Sequence, residues 1–100
     1  MTPEFKRISD NQYSLSGELN MQTVPPVARE TQSMFAGLQG DVSVDLSGVT
    51  RADSAGLALL VDWLRLARRH KVTLRFRHLP DQLVQIARVS ELDRILPIEA

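Results

Sequence analysis

A switch in hydrophobic periodicity between residues 42 and 60 constrains this chain more than any other feature. Val42, Val44 and Leu46 alternate with polar residues, which predicts a strand with one buried face, and after Thr50 the apolar residues recur at helical spacing. The segment therefore predicts a strand over 42–46, a tight polar turn and the opening of a helix at residues 53–56.

Ser54 is the polar side chain at this predicted helix start. Free backbone N–H groups and the positive end of the helix dipole favour an acceptor oxygen or an anion at such a position. Two interpretations stay open, because the hydroxyl can cap the helix or can be an exposed point for phosphorylation or docking. A phosphate on Ser54 would be stabilised by the helix start and opposed by the adjacent Asp53.

Length and composition predict one compact domain, residues 1–100. The chain is 43% hydrophobic and balances 12 basic against 12 acidic residues, so net charge provides no general attraction to nucleic acid or lipid.

Without cysteine or a carboxylate cluster beside its two histidines, we predict no metal site and no cofactor. No apolar signal segment opens the chain, and Asp62 and Arg65 interrupt its most hydrophobic stretch, so we expect a cytoplasmic protein.

The first half of the chain predicts a hairpin and a helix. Strands over 5–8 and 13–19 flank a run of turn formers, and Gly17 predicts a bulge or a close backbone approach in the second. A helix is expected to begin near Pro25 and Pro26 and to run to about Leu38, with Gly37 and Gly40 as stop signals. Its core-facing positions are Val24, Val27, Thr31, Met34, Phe35 and Leu38.

A second helix, over about 55–70, is apolar on two sides. One stripe consists of Leu57, Leu60, Val61, Leu64 and Ala67, and the other of Ala55, Leu59 and Leu66. The second stripe fits either packing within the domain or contact with another protein. Trp63 belongs to neither stripe and fits an interface anchor or the edge of the core. We expect Leu60→Asp to unfold the domain.

Half of the basic residues lie between positions 65 and 77, on the end of this helix and on a strand that starts at Val72. A solvated face is the favoured interpretation, ahead of contact with protein or lipid headgroups, and nucleic acid is not expected.

A third helix follows from 81 to about 89, with a possible last short strand. The order of elements predicts an α/β fold with a mixed sheet of about four or five strands and flanking helices.

Residues 52–56 superficially resemble the nucleophile elbow of hydrolases, with Ala52 in place of the first glycine. The sequence does not show the other catalytic groups that a hydrolase needs, because His78 is the only plausible base and it follows a different strand. There is also no glycine-rich phosphate loop. We therefore predict no catalytic residues and a binding or regulatory module.

Three segments carry a family resemblance: LSGEL at 15–19, DLSGV at 45–49 and DSAGL at 53–57. In this order they resemble the STAS domain family, which has the anti-sigma-factor-antagonist fold, over almost the whole chain. In the sigma-regulating branch the residue after this aspartate is a serine that an anti-sigma kinase phosphorylates, which implies phosphorylation of Ser54. The domain is then a substrate and not a catalyst.

A second branch of the family is more similar. Asn20 stands where the antagonists usually carry Asp, and Ala55 replaces their second serine. The run at 57–61, followed by Leu64, Ala67 and Arg68, resembles the small STAS subunit of phospholipid-transporting ABC systems. That resemblance implies a non-catalytic cytoplasmic subunit that binds the ATPase, in a complex with a permease and a lipid-binding MCE-type subunit, and supports outer-membrane lipid asymmetry. Membrane association would then be indirect, through the complex.

The same resemblance implies where the partner binds. Family contacts involve the helix start around the Ser54 position and the start of the first helix. The corresponding residues here are Asp53, Ser54, Ala55 and Leu57, together with Val24, Val27 and Ala28. The alternative function, an anti-sigma factor antagonist switched by phosphorylation, uses Ser54 alone.

Overall fold

The computed structural model describes residues 3–99 and has one mixed sheet with three helices. The elements in chain order are β1 (Glu4–Ser9), β2 (Gln12–Leu19), α1 (Val24–Glu30), β3 (Asp41–Ala52), α2 (Ser54–Arg69), β4 (Thr73–Arg77), α3 (Asp81–Val89) and β5 (Ile98–Glu99). The spatial order of the strands is the chain order, with β1 antiparallel to β2 and every other neighbouring pair parallel. The predicted α/β fold with a mixed sheet is confirmed.

The three helices cover one face of the sheet. Each of them connects two adjacent parallel strands in the same spatial direction, and right-handed crossovers of this kind place successive helices on one side. Burial follows the strand alternation, because Val42, Val44 and Leu46 are at most 1% exposed whereas Ser43 and Asp45 are only half-buried. The opposite face of the sheet is polar.

Trp63 lies at the centre of the core and is fully buried. Its indole N–H donates to the Thr31 hydroxyl at 2.9 Å, and that hydroxyl donates to the Val27 carbonyl at 2.8 Å. The Phe5 ring packs against it, with ring centroids 5.3 Å apart. Trp63 is therefore a core residue and not an interface anchor, since its one polar atom has a partner inside the domain.

The first helix is shorter than the sequence predicts. It ends at Glu30, and residues 31–38 continue as tight turns in which Met34, Ala36 and Leu38 donate to carbonyls three residues earlier. The prediction of a helix to Leu38 was wrong because three-residue turns replace the helical bonding after the first two turns. Phe35 still faces the core.

The third strand is longer than predicted and replaces the expected polar turn. It continues to Ala52, and its pairing with β2 shifts register between Ser14 and Ser16 and again after Gly17. A Cβ on Gly48 would lie 2.7 Å from the Cβ of Ser16, so glycine allows the two strands to approach here. The bulge predicted at Gly17, which has a φ of 99°, is confirmed.

Helix α2 agrees with its prediction to within a residue at each end. Leu60 is fully buried and Leu59, from the second stripe, is 1% exposed, so both stripes pack within the domain. Helix α3 also lies where the sequence predicts it, and the possible last short strand is present as β5.

Candidate functional site

The site is built where β2 and β3 end side by side. Leu19 is paired with Ala52 at the ends of these parallel strands, and the Asp53 N–H donates to the Leu19 carbonyl at 3.1 Å. Because both chains leave the sheet at this edge, the loop after β2 and the start of α2 are neighbours. The carboxyl edge of parallel strands is where binding sites of α/β folds commonly lie.

Asp53, and not Ser54, caps helix α2. Asp53 is extended, with φ −116° and ψ −163°; its carboxylate accepts the Ala55 N–H at 2.8 Å and its carbonyl accepts the Gly56 N–H at 3.0 Å. Ser54 is the first helical residue, so the capping interpretation of Ser54 was wrong. Its side chain is exposed, and its hydroxyl makes no hydrogen bond within residues 3–99. The hydroxyl is thus available to a partner.

Gly56 fixes the position of the α2 start. It is buried, and a Cβ there would lie 3.2 Å from the Leu19 Cβ and 3.4 Å from the Ala52 Cβ. The first turn of α2 therefore packs closely on the ends of β2 and β3. Ser54, two residues earlier, is held on a rigid element and not on a loose loop.

Side-chain hydrogen bonds lock the loop that follows β2. The Asn20 side-chain oxygen accepts the N–H groups of Gln22 at 2.9 Å and Thr23 at 3.0 Å. The Thr23 hydroxyl accepts the Asn20 N–H at 2.9 Å and donates to the Glu18 carbonyl at 2.7 Å. In a turn of this kind, the Asn side chain accepts hydrogen bonds from the backbone N–H groups of the residues that follow it. These bonds hold the loop in one conformation.

Met21 lies at the tip of this locked loop with 75% of its surface exposed. It is a large apolar side chain on the loop that leaves β2 at the same edge of the sheet as the start of α2, and sequence reasoning missed it. Its position depends on the pairing of β2 with β3, which the sequence pattern does not show. The available signal was the pair Asn20 and Thr23, which is typical of a turn held by side-chain hydrogen bonds. We define the α2-start surface as Met21, Asp53, Ser54 and Ala55.

The other residues predicted for partner binding lie beneath or beside this surface. Leu57 is 4% exposed, Val27 is 4% and Val24 is 8%, so all three are core residues that support the surface without offering contact area. Ala28 is half-buried on α1. The structure thus brings Asp53, Ser54 and Ala55 together at the surface and leaves the rest of the predicted set in the core or on the adjoining helix.

His78 is paired with Asp45 and not with Ser54. Its Nδ1 lies 2.9 Å from the Asp45 Oδ1, which also accepts the Ser47 N–H. Partial burial opposes ionisation of Asp45, but the hydrogen bonds from His78 and Ser47 outweigh it and lower the pKa of this carboxyl. Ser14 pairs with Asp45 and Leu19 with Ala52, so five residues of β2, roughly 16 Å, separate the Asp45–His78 pair from the α2 start.

Two further features bear on the kinds of site that are present. Within residues 3–99, no helix combines the length and the apolar character that crossing a bilayer requires. The same residues contain no group of three histidine, cysteine, aspartate or glutamate side chains arranged for a metal ion.

Comparison with known proteins places this geometry in a family. Residues 6–97 match the family model described as "Mlab, STAS domain". The chain is 29% identical over 79 residues to the intermembrane phospholipid transport system binding protein MlaB of Escherichia coli, covering 79% of this chain and 78% of that protein. It is also 26% identical over 92 residues to the anti-sigma-B factor antagonist of Bacillus subtilis, covering 92% of this chain and 84% of the relative.

The fold itself is shared with a solved structure. The anti-sigma factor antagonist SpoIIAA in its unphosphorylated form superposes with a TM-score of 0.72 at 14% identity, over 99% of this chain and 89% of SpoIIAA. The family match covers nearly the whole chain and includes all the residues of the α2-start surface. The chain therefore belongs to the MlaB STAS domain family.

Proposed function

We propose that this protein is a non-catalytic regulatory or assembly subunit of an ABC phospholipid transporter and that it binds the ATPase subunit through the α2-start surface. It would act in the cytoplasm, in a complex with a permease and a lipid-binding MCE-type subunit, and would reach the inner membrane only through that complex. Its role would be to support the ATPase in maintaining outer-membrane lipid asymmetry. The observation that carries the proposal is the exposed Ser54 hydroxyl on the first turn of α2, which has no hydrogen-bond partner among residues 3–99.

The chemistry of the α2-start surface suits protein docking. Met21 supplies a large apolar contact, and the Ser54 hydroxyl supplies a donor and an acceptor that fix orientation. Hydrogen bonds within the domain hold the backbone of the loop and of the α2 start, so little backbone conformational entropy is lost when a partner binds. The similarity to MlaB over 79 residues supports a partner from a phospholipid transport system.

The arrangement around Ser54 also supports a role without catalysis. A serine nucleophile needs a base within hydrogen-bond distance, and His78 is bonded to Asp45 roughly 16 Å away along the sheet. The carboxylate nearest to Ser54, that of Asp53, is engaged with the Ala55 N–H. In this proposal the chemistry belongs to the ATPase.

Pull-down from the native lysate tests the proposal. We expect the wild-type protein to recover an ABC ATPase and its permease, and Ser54→Glu to lose them because a charge would replace a neutral contact beside Asp53. Ser33→Glu is the matched control, since it places the same charge on an exposed serine beyond the far end of α1. Recovery of no transporter component by the wild type would refute the proposal.

A second function is favoured by a specific observation. The same exposed Ser54 hydroxyl is accessible to a kinase, and the chain is similar to an anti-sigma-B factor antagonist. A phosphate on Ser54 would add about two negative charges beside the Asp53 carboxylate, which already occupies the Ala55 N–H. Phosphorylation would therefore act by repelling a partner. Recovery of a serine kinase with a sigma factor, and phosphate on Ser54 by mass spectrometry, would support this function over the first.

A further inference from the structure

A second surface lies at the opposite end of α2 from Ser54. It is an open groove of about 640 Å3 between the last half of α2, strand β4 and the segment before β5. We call it the basic groove, and the residues that define it are Val61, Leu64, Arg65, Arg68, Lys71, Leu74, Ile95 and Pro97. The transporter proposal does not use this surface.

The groove has an apolar floor. Val61 and Leu64 on α2 are half-buried, and Ile95 on the facing segment is 55% exposed. Apolar side chains left partly in water along a concave surface gain free energy when another apolar group covers them. The floor therefore suits the apolar side chains of a bound segment.

The rim of the groove carries three exposed cations and no carboxylate. Arg65 and Arg68 are three residues apart and so lie on the same side of α2, and Lys71 follows just after the helix ends. None of the three forms an ion pair within the described part of the chain, residues 3–99. Like charges at this spacing repel each other, so an anionic ligand would relieve that repulsion.

Lys71 occupies a backbone conformation that usually belongs to glycine. Its φ is 59°, and the Val72 N–H that follows donates back to the Ala67 carbonyl at 2.8 Å to close the helix. Residues other than glycine adopt this left-handed conformation only infrequently. The turn that ends α2 therefore holds Lys71 at the end of the groove.

The floor of the groove includes an open edge of the sheet. Strand β5 pairs only with Phe76 and Arg77, and no strand among residues 3–99 lies beside the earlier part of β4 on this side. The Phe76 N–H points to this edge, where it donates to the Pro97 carbonyl, and Leu74 has the same orientation two residues earlier. An extended segment can pair with the backbone there.

We propose that the basic groove binds an extended acidic segment of a partner protein. The carboxylates of the segment pair with Arg65, Arg68 and Lys71, its apolar side chains lie on the floor, and its backbone lies along the open edge of β4. A membrane surface fits less well, because the groove is concave and because Arg75 lies on the other face of the sheet, beside Ser43 and Gln12. The cations of the chain therefore do not form one plane.

Fluorescence anisotropy with a short labelled peptide of alternating glutamate and leucine tests this proposal. We expect binding that weakens as sodium chloride is raised, and about a tenfold loss of affinity for Arg68→Glu. Arg69→Glu is the matched control, because Arg69 is the next residue in the same last turn of α2, is also exposed and does not line the groove. Its affinity should stay within about twofold of the wild type.

Two further measurements make the result decisive. The thermal midpoint of each variant shows whether it folds, and Arg68→Gln replaces Arg68→Glu if the latter does not. Vesicles of phosphatidylglycerol serve as the membrane probe. The proposal is overturned if the peptide does not bind the wild type, if Arg68→Glu and Arg69→Glu weaken it equally, or if the protein binds the vesicles and not the peptide.

Discussion

Replacing Asp53 with alanine is expected to destabilise the domain, whereas replacing the adjacent Ser54 with alanine is not. The Asp53 carboxylate accepts the Ala55 N–H at 2.8 Å at the start of a helix of 16 residues. Loss of such a cap costs about 1 kcal/mol, and loss of the negative charge at the helix start adds roughly 0.3–1 kcal/mol. The free energy of unfolding should therefore fall by about 1–2 kcal/mol.

Urea and thermal unfolding, followed by helical circular dichroism, measure this effect. For a domain of this size each kcal/mol lowers the Tm by about 4–8 °C, so the Asp53→Ala shift is well resolved. Asp53→Asn is the matched variant, since asparagine keeps the capping bond and loses only the charge. Ser54→Ala should change the unfolding free energy by less than about 0.5 kcal/mol, because no hydrogen bond of its hydroxyl is lost.

The opposite result would refute the reasoning. If Ser54→Ala destabilised the protein as much as Asp53→Ala, the hydroxyl would be the cap. Ser54 would then be committed to the fold and would not be available to a partner. The same result would remove the structural basis of the α2-start surface.

Three further predictions concern the core, a close strand contact and the pH dependence of stability. Thr31→Val should cost about 1–3 kcal/mol in urea unfolding, because the buried Trp63 N–H loses its acceptor, and Thr31→Ser should restore most of it. Gly48→Ala should lower the Tm because the added Cβ meets strand β2 at 2.7 Å. The folded-state pKa of Asp45 lies below its ordinary value of 3.8, so its contribution to stability is present above that pH and is lost as the pH falls through the folded pKa. In acid titrations followed by circular dichroism, His78→Ala should reduce this loss, and an unchanged acid transition would contradict the assignment.

The parts of the fold that the sequence predicted well are those in which local pattern and tertiary packing agree. The hairpin, α2, β4 and α3 each have a clear period of apolar residues, and each lies within a few residues of its predicted range. Strand β3 was underestimated because Ser47, Gly48 and Thr50 are typical of turns. Pairing with β2 overrides that local preference, and the glycine is needed because the two strands approach closely.

The start of α2 was predicted to within one residue, and that residue matters. Asp53 and Ser54 are both common caps, so the pattern alone could not assign the helix start to one of them. Met21 could not be predicted, because its place at the same edge of the sheet as Ser54 depends on the pairing of strands that are distant in the sequence. Trp63 was left open for the same reason, since its partner Thr31 lies 32 residues away.

The affinity of the purified protein for the ABC ATPase recovered from the native lysate tests the central claim most directly. Isothermal titration calorimetry with the wild type, Ser54→Glu and Ser33→Glu compares a charge on the α2-start surface with the same charge on a distant exposed serine. We predict that Ser54→Glu weakens binding by at least about tenfold, or about 1.4 kcal/mol, and that Ser33→Glu binds like the wild type. Equal affinities for all three proteins would contradict the account, because the ATPase would then bind elsewhere.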